Sequence, residues 1–283
     1  MRLSVRAAAR AALPAAALLL AGCGTGSGAE QPAAGSSAAD AVTRAVEKTE
    51  SVTSLHYRVT GQFPERGRIS DEGTVRTKPV VAGLRTTNLS GEERGTTELR
   101  LVGGVLYGSA TSDMVERIGG RHWISYGPAA NFTTDSGLRM DVGSLRDQVG
   151  RNPAREAAFL ATAQDVKKVG DEKVDGTDST HYAGTAAIDD LRASLKEIEE
   201  KATREGRERS LDQYDKAGVD ELTLDVWIDG DDRVKRLRTQ GFGRHGELDL
   251  TITFLDYGKS VTVRAPRPDD TADLRKPLEK NGS

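Results

Sequence analysis

The chain has 283 residues, of which 36% are hydrophobic and only 5% aromatic, with a formal net charge of −3. Three arginines and no acid precede the single cysteine, Cys23, so the remainder carries −6; that excludes the basic footprint with which a nucleic-acid binder displaces counterions and a polybasic patch for anionic lipid. One cysteine excludes an internal disulfide, and about 240 residues beyond it suffice for one large domain, whose core must come from narrow stripes of Val, Leu and Ile.

Arg2, Arg6 and Arg10 form a basic leader, and residues 11–21 are alanine and leucine broken only by Pro14. This is the pattern of a secretory signal peptide. It is too short to span a hydrocarbon core of about 30 Å, which needs roughly twenty apolar residues. The run ends in Leu20-Ala21-Gly22-Cys23, which resembles the lipobox of bacterial lipoproteins. That resemblance implies cleavage before Cys23 and a diacylglyceryl group on its thiol, the palmitate-type anchor of a protein held on the extracytoplasmic face of the cell membrane. The expected organisation is a signal peptide at 1–22, a lipidated N-terminus and flexible linker at 23–38, a single domain at 39–265 and a polar C-terminal tail at 266–283. The linker holds only Gly, Ser, Ala, Thr, Pro, Gln and one Glu beyond Cys23. Its Gly-Thr-Gly-Ser-Gly run is no phosphate loop, because no strand precedes it and no helix follows.

Asp40 offers an N-cap, and Ala41, Val42, Ala45, Val46, Thr49 and Val52 recur at helical spacing. From Leu55 the period becomes two: runs 55–60, 73–77, 80–89, 96–102, 105–107 and 122–126 are short and β-rich, separated by turn residues. They predict an antiparallel meander. Asn152-Pro153 then starts a helix over 154–163 with Phe159 and Leu160 as its large apolar residues. Runs 166–174 and 179–188 read as a hairpin around Asp175-Gly176. Asp189 and Asp190 cap a further helix from Leu191 to about Glu205, with a thin stripe of Leu191, Leu195 and Ile198, and a break at Gly206 before 211–214. Leu222, Leu224, Val226 and Ile228 alternate with polar residues up to the turn 229–232. Along the return strand, simple parity puts Arg236, Arg238 and Gln240 on one face with Val234 and Phe242. Leu248, Leu250, Ile252 and Phe254 then share a face, and 260–263 closes as a last strand. One face of this sheet is apolar and wants cover.

Ser51-Val52-Thr53-Ser54-Leu55-His56-Tyr57, the segment 175–182, Asp225-Val226-Trp227-Ile228-Asp229, Phe254-Leu255-Asp256-Tyr257-Gly258 and Val261-Thr262-Val263 resemble the LppX and LprG type (LppX/LprAFG) of actinobacterial envelope lipoproteins. The resemblance implies an α+β fold: a curved antiparallel β-sheet, a LolA-like half-barrel, covering a few α-helices on its concave side. It also implies acyl chains or glycolipids held between sheet and helices. On that expectation the lipid-binding residues are Leu222, Leu224, Val226, Ile228, Leu248, Leu250, Ile252, Phe254, Phe159 and Leu160, with Phe132, Leu138 and Met140 as a lip over the opening.

No catalytic constellation stands beside this. His56, His122, His181 and His245 lack a close partner set for a metal, and read as half-exposed strand residues. Asp225, Asp229, Asp231 and Asp232 lack the spacing and closing Glu of a calcium loop, and read as a solvated turn. There is no Gly-x-Ser-x-Gly elbow. Trp123 and Trp227 read as packing residues, Trp227 having the opposite parity to Val226 and Ile228. No cofactor, metal or enzyme activity is expected. The expected partners are the membrane, through Cys23, and an acylated lipid or other amphiphile, with the chain monomeric. The alternative is an interaction or sensor lipoprotein with a filled core, acting through its surface in an envelope complex.

Overall fold

The computed structural model describes residues 37–64, 67–90, 94–127, 131–133 and 139–273. Cys23, the linker up to residue 36 and Leu138 lie outside them. Helix α1 (Ala38–Glu50) is followed by six strands, β1 (Ser54–Phe63), β2 (Gly67–Thr77), β3 (Val80–Asn88), β4 (Gly95–Val102), β5 (Val105–Ser109) and β6 (Trp123–Gly127), with the short helix α2 (Ser112–Arg117) before β6. Next come the paired β7 (Asn131–Thr133) and β8 (Arg139–Asp141), α3 (Val142–Val149), a 3-10 turn at Pro153–Ala157 and α4 (Ala158–Ala161). The second half is β9 (Lys167–Val174), β10 (Thr177–Ala187), α5 (Ile188–Ser194), α6 (Lys201–Lys216), β11 (Glu221–Asp229), β12 (Val234–Gly243), β13 (Gly246–Tyr257) and β14 (Thr271–Asp273).

Twelve strands form one open sheet in the order β14-β6-β5-β4-β3-β2-β1-β13-β12-β11-β10-β9. Two meanders, β1 to β6 and β9 to β13, are joined where β1 pairs antiparallel with β13. Among the described residues only β14 on β6 is parallel. One contiguous core joins Val75, Ala82, Leu101 and Leu106 in the first meander to Leu224, Val226, Leu237 and Phe254 in the second, through Val42 and Val46 of α1 and Phe159 and Leu160 of α4. A single helical layer reaches both meanders only if the sheet bends over it, as the half-barrel expectation requires. The free edge β9 is lined by Lys167, Lys168, Asp171, Glu172 and Lys173, charges that discourage edge pairing with another chain.

Several local expectations change. The N-cap of α1 is Ser37, whose hydroxyl accepts from the Asp40 N–H while the Asp40 carboxylate accepts from the Ser37 N–H; Asp40 is thus the acidic end of a capping box. The helix expected over 154–163 is a 3-10 turn and one α-turn, with Asn152 capping and Pro153 leading. The break placed at Gly206 falls instead at 198–200, and α6 runs through Gly206, against which the Arg151 guanidinium packs; a β-carbon there would stand 3.0 Å from Arg151 Cζ. Residues 260–263 form no strand. They belong to a strap crossing the outer face, held by Ser54 Oγ–H donating to the Lys259 carbonyl at 2.7 Å and Arg100 donating to the Arg264 carbonyl at 3.3 Å. The strap leads into β14, so part of the segment assigned to a polar tail completes the sheet. Ala272 on β14 is buried with Ile118 and Ile124.

The parity expected along β12 is overturned by a β-bulge: Ile228 pairs with Val234 but Trp227 with Arg236. Val234 therefore turns to the core, fully buried, while Arg236 turns outward beside Trp227. A bulge removes backbone groups from the ladder, and side chains replace them here. Thr49 Oγ1 accepts from Val234 N–H at 2.9 Å, and the Tyr257 hydroxyl donates to the Val234 carbonyl.

Candidate functional site: the inner face of the first meander

Register carries one row of inward side chains across five strands: Leu99 pairs with Leu84, Leu84 with Gly73, Gly73 with Tyr57 and Tyr57 with Phe254. The next position places Val59 opposite Ile252, and Gly61 opposite Leu250. Burial falls off along these strands. Leu55, Val75, Ala82 and Leu101 are sealed under the helices, whereas Val59, Leu84, Leu99, Leu250 and Ile252 border the same core only partly buried.

Two glycines shape this surface. The Tyr57 ring fills the space above Gly73, where a β-carbon would lie 2.1 Å from its Cζ, and Tyr126 lies over Gly108, 3.0 Å from the equivalent position. Aromatic rings laid on bare backbone add apolar area to this face. Burial pushes the Tyr57 hydroxyl far above the ordinary range and the Asp71 charge adds to this; burial also raises Tyr126. Both phenols therefore stay protonated and neutral at physiological pH. The face offers apolar area with phenol hydroxyls and one carboxylate, Asp71, which pairs opposite Val59.

The ten sheet and helix residues expected to contact lipid divide into two groups. Leu222, Leu224, Val226, Ile228, Leu248, Phe254, Phe159 and Leu160 are all at most 6% exposed, packed within the core shared with α1 and α4. Leu250 and Ile252 are partly buried and join the half-open row. Phe132 and Met140 stand opposite each other in the β7–β8 pair. Tyr57, Val59, Leu84, Leu99 and Tyr126 share this face and lie outside the expected set; the alternation His56, Tyr57, Arg58, Val59 marks two of them as inward.

The outer face carries a self-satisfied polar array. Trp227 stacks on His181 at 4.3 Å, and its Nε1–H donates to Glu172 at 2.6 Å. His181 reaches Asp225 at 2.7 Å through Nε2 and Glu172 at 3.2 Å through Nδ1. Arg238 clamps Asp249 with bonds of 2.8 and 2.6 Å, which holds that carboxyl below its usual range. Arg100 covers the Trp123 ring at 4.2 Å. Both tryptophans thus pack beneath charged side chains on the outside of the sheet instead of within the core. Beneath the strap, a polar groove of about 480 Å³ is lined by His56, Glu72, Arg85, Glu98 and Arg100; Glu98 is already paired with Arg100 at 2.8 Å and Arg85 at 3.7 Å. Among the described residues no group of three or more His, Cys, Asp or Glu side chains is placed to hold a metal ion, and no helix is long and apolar enough to cross a membrane.

No family model matches the chain. It is 30% identical over 190 residues to an uncharacterised 31.2 kDa protein of Streptomyces griseus, covering 67% of this chain and 60% of that one. It is 27% identical over 215 residues to a predicted lipoprotein of Streptomyces coelicolor, covering 75% and 64%. The chain thus spans less than two thirds of either relative's length. Among solved structures, the lipoprotein LppX of Mycobacterium tuberculosis superposes with a TM-score of 0.49 at 17% identity, over 80% of this chain and 98% of that one. The likeness to a lipoprotein read from the sequence is met again in the name of the Streptomyces coelicolor relative.

Proposed function

We propose that this chain is a lipoprotein anchored through Cys23 on the outer side of the cytoplasmic membrane, whose inner sheet face binds an acyl chain of a lipid or other amphiphile without catalysis. The observation that carries the reading is the half-open apolar row of Val59, Leu84, Leu99, Leu250 and Ile252. Its five large side chains are incompletely covered, and covering each fully is worth up to about 1.5–3 kcal/mol. An acyl chain laid along the row supplies that cover. The lipobox places the domain within a linker's length of the lipids it would sample.

The test is native mass spectrometry of the chain from Gly24 onward, as purified and after incubation with phosphatidylcholine. The expected result is an acylated species that is lost when Ile252→Asp and Leu84→Asp place charges in the row. A protein that stays lipid-free in both experiments overturns the reading. A second reading, a filled-core interaction module, is favoured by the complete burial of Leu222, Leu224, Val226 and Leu248; recovery of the same crosslinked partner proteins from wild type and from the charged variants supports it.

A further inference from the structure

We infer that the amphiphile taken up on the inner face carries an anionic headgroup, seated on a cluster of four arginines, Arg151, Arg155, Arg207 and Arg209. The inference rests on the acyl-binding reading above and adds the charge of the ligand. The four come from three segments: Arg151 follows α3, Arg155 belongs to the 3-10 turn Pro153–Ala157, and Arg207 and Arg209 lie on α6. Each is partly buried.

Arg151 Nη1 donates to the Gly206 carbonyl at 3.2 Å, and the Ser210 hydroxyl donates to Glu156 at 2.7 Å. These contacts hold α6 against the turn. The carboxylates among the four guanidiniums are Glu50, 3.0 Å from Arg155, and Glu156, whose second oxygen has no hydrogen-bond partner. The Arg207 and Arg209 guanidiniums make no ion pair or hydrogen bond among the described residues, and Arg207 Nε is sealed from solvent. Other acids nearby are committed elsewhere. Asp147 is exposed beside Arg146, Glu205 pairs with Lys201, and Glu208, Asp212 and Asp215 surround Arg192. The site therefore holds an excess of positive charge, partly withdrawn from water. Burial keeps Arg151 and Arg207 below the ordinary guanidinium range, and the neighbouring charges of Arg209 on the first and Arg155 on both lower them further. A fixed anion relieves both effects. Planar guanidiniums grip phosphate or carboxylate oxygens through paired hydrogen bonds.

The cluster is anchored on both flanks of the half-open row. On one flank, α3 is followed by Gly150, where a β-carbon would stand 3.3 Å from Leu101 Cδ2 of β4, and Arg151 comes next. On the other, Tyr214 of α6 shares a hydrogen bond with the Thr239 side chain of β12, and the Glu156 charge reaches the same phenol. Thr239 is buried, directly opposite Leu250. Strands β3, β2, β1 and β13 run between these anchors and carry Leu84, Val59, Ile252 and Leu250 of the row. An acyl chain on those side chains therefore has the guanidiniums on its helical side. On its sheet side stands Asp71, opposite Val59, with its charge acting on Tyr57. An anion is repelled there, which leaves it one seat. The net negative charge of the chain excludes a basic outer surface, and a single partly enclosed cluster is compatible with it.

The test is isothermal titration calorimetry of the chain from Gly24 onward, which contains the whole compact unit Ser36–Ser283. The probes are monomeric lauroyl-lysophosphatidylglycerol and lauroyl-lysophosphatidylcholine, alike in acyl chain and different in net headgroup charge, and glycerophosphoglycerol, the anionic headgroup without a chain. The expected result is that the anionic lysolipid binds about tenfold tighter than the zwitterionic one, and glycerophosphoglycerol far more weakly than either. The preference disappears when Arg207→Gln and Arg209→Gln are combined, while affinity for the zwitterionic lysolipid is kept, which reports an intact fold and row. Arg58→Gln, beside Glu72 on the outer face, changes neither affinity. Equal affinity for the two lysolipids, or a preference that survives the loss of both arginines, overturns the inference and leaves acyl binding standing. Glycerophosphoglycerol binding as tightly as the anionic lysolipid makes a soluble phosphate ester the ligand and also overturns it. Binding of none of the three overturns both readings.

Discussion

The Thr49 hydroxyl takes the amide hydrogen of Val234 at 2.9 Å and gives its own to the Ala45 carbonyl at 2.6 Å. One buried side chain thus ties the last turn of α1 to the bulge that reverses β12. Thr49→Val keeps shape and volume but leaves a buried N–H unpaired, which costs about 1–3 kcal/mol. Thr49→Ser retains the hydroxyl and loses only a methyl, about 1 kcal/mol. Urea unfolding of both variants checks the order; a loss in Thr49→Val no larger than in Thr49→Ser would mean that the hydrogen bond is worth no more than the methyl.

The Tyr57 ring over Gly73 makes a second prediction. In Gly73→Ala the new β-carbon collides with a buried ring, and overpacking of this kind costs about 1–3 kcal/mol. In a Tyr57→Ala background the collision is gone, and the same change is close to neutral. A double-mutant cycle should return a coupling of at least about 1 kcal/mol; an additive result would show that the ring relocates freely.

Elements whose cause is local were legible in the sequence. Asp175-Gly176 turns the chain because both residues adopt positive φ, +49° and +81°, which Asp and Gly tolerate best. The alternation of Leu222, Leu224, Val226 and Ile228 gave the inner face of β11 directly. What stayed hidden depends on distant partners. The bulge at Val234 is stabilised by Thr49 and Tyr257, neither adjacent in sequence. Gly206 reads as a helix breaker, yet the Arg151 guanidinium occupies the space that its missing side chain leaves. Chain parity could not foresee that helices bury Leu224 and Val226 but leave Leu84 and Leu99 partly open, since that depends on how far the helical layer extends.

The outer-face array predicts that Trp227→Phe is destabilising although the residue lies outside the core. Phe keeps part of the stack on His181 but leaves Glu172 without the indole donor. A hydrogen bond to a charged acceptor is worth about 1.5–3 kcal/mol when buried; Glu172 is half exposed, so a loss of about 1 kcal/mol is expected. Glu172→Gln in the wild type should reproduce most of it, and the double variant should add little.

Glu156 supplies the pH dependence. Its Oε1 accepts the Ser210 hydroxyl at 2.7 Å, while Oε2 is sealed from solvent without a hydrogen-bond partner. Burial is the largest influence and raises its pKa, against the lowering effects of Ser210, Arg151 and Arg207. A folded-state pKa above the unfolded one means that stability from this group is fully present below the ordinary carboxylate value and is lost as pH rises through the folded value. Glu156→Gln removes that loss. The variant should therefore be the more stable at pH 7, and its advantage should shrink steadily as pH falls towards 4.5, the group's ordinary value. The measurement is the difference between variant and wild type in urea unfolding from pH 4.5 to 8, which cancels the other carboxylates. A difference independent of pH would show that Glu156 keeps an ordinary pKa; one of opposite slope would show that Arg151 and Arg207 outweigh its burial.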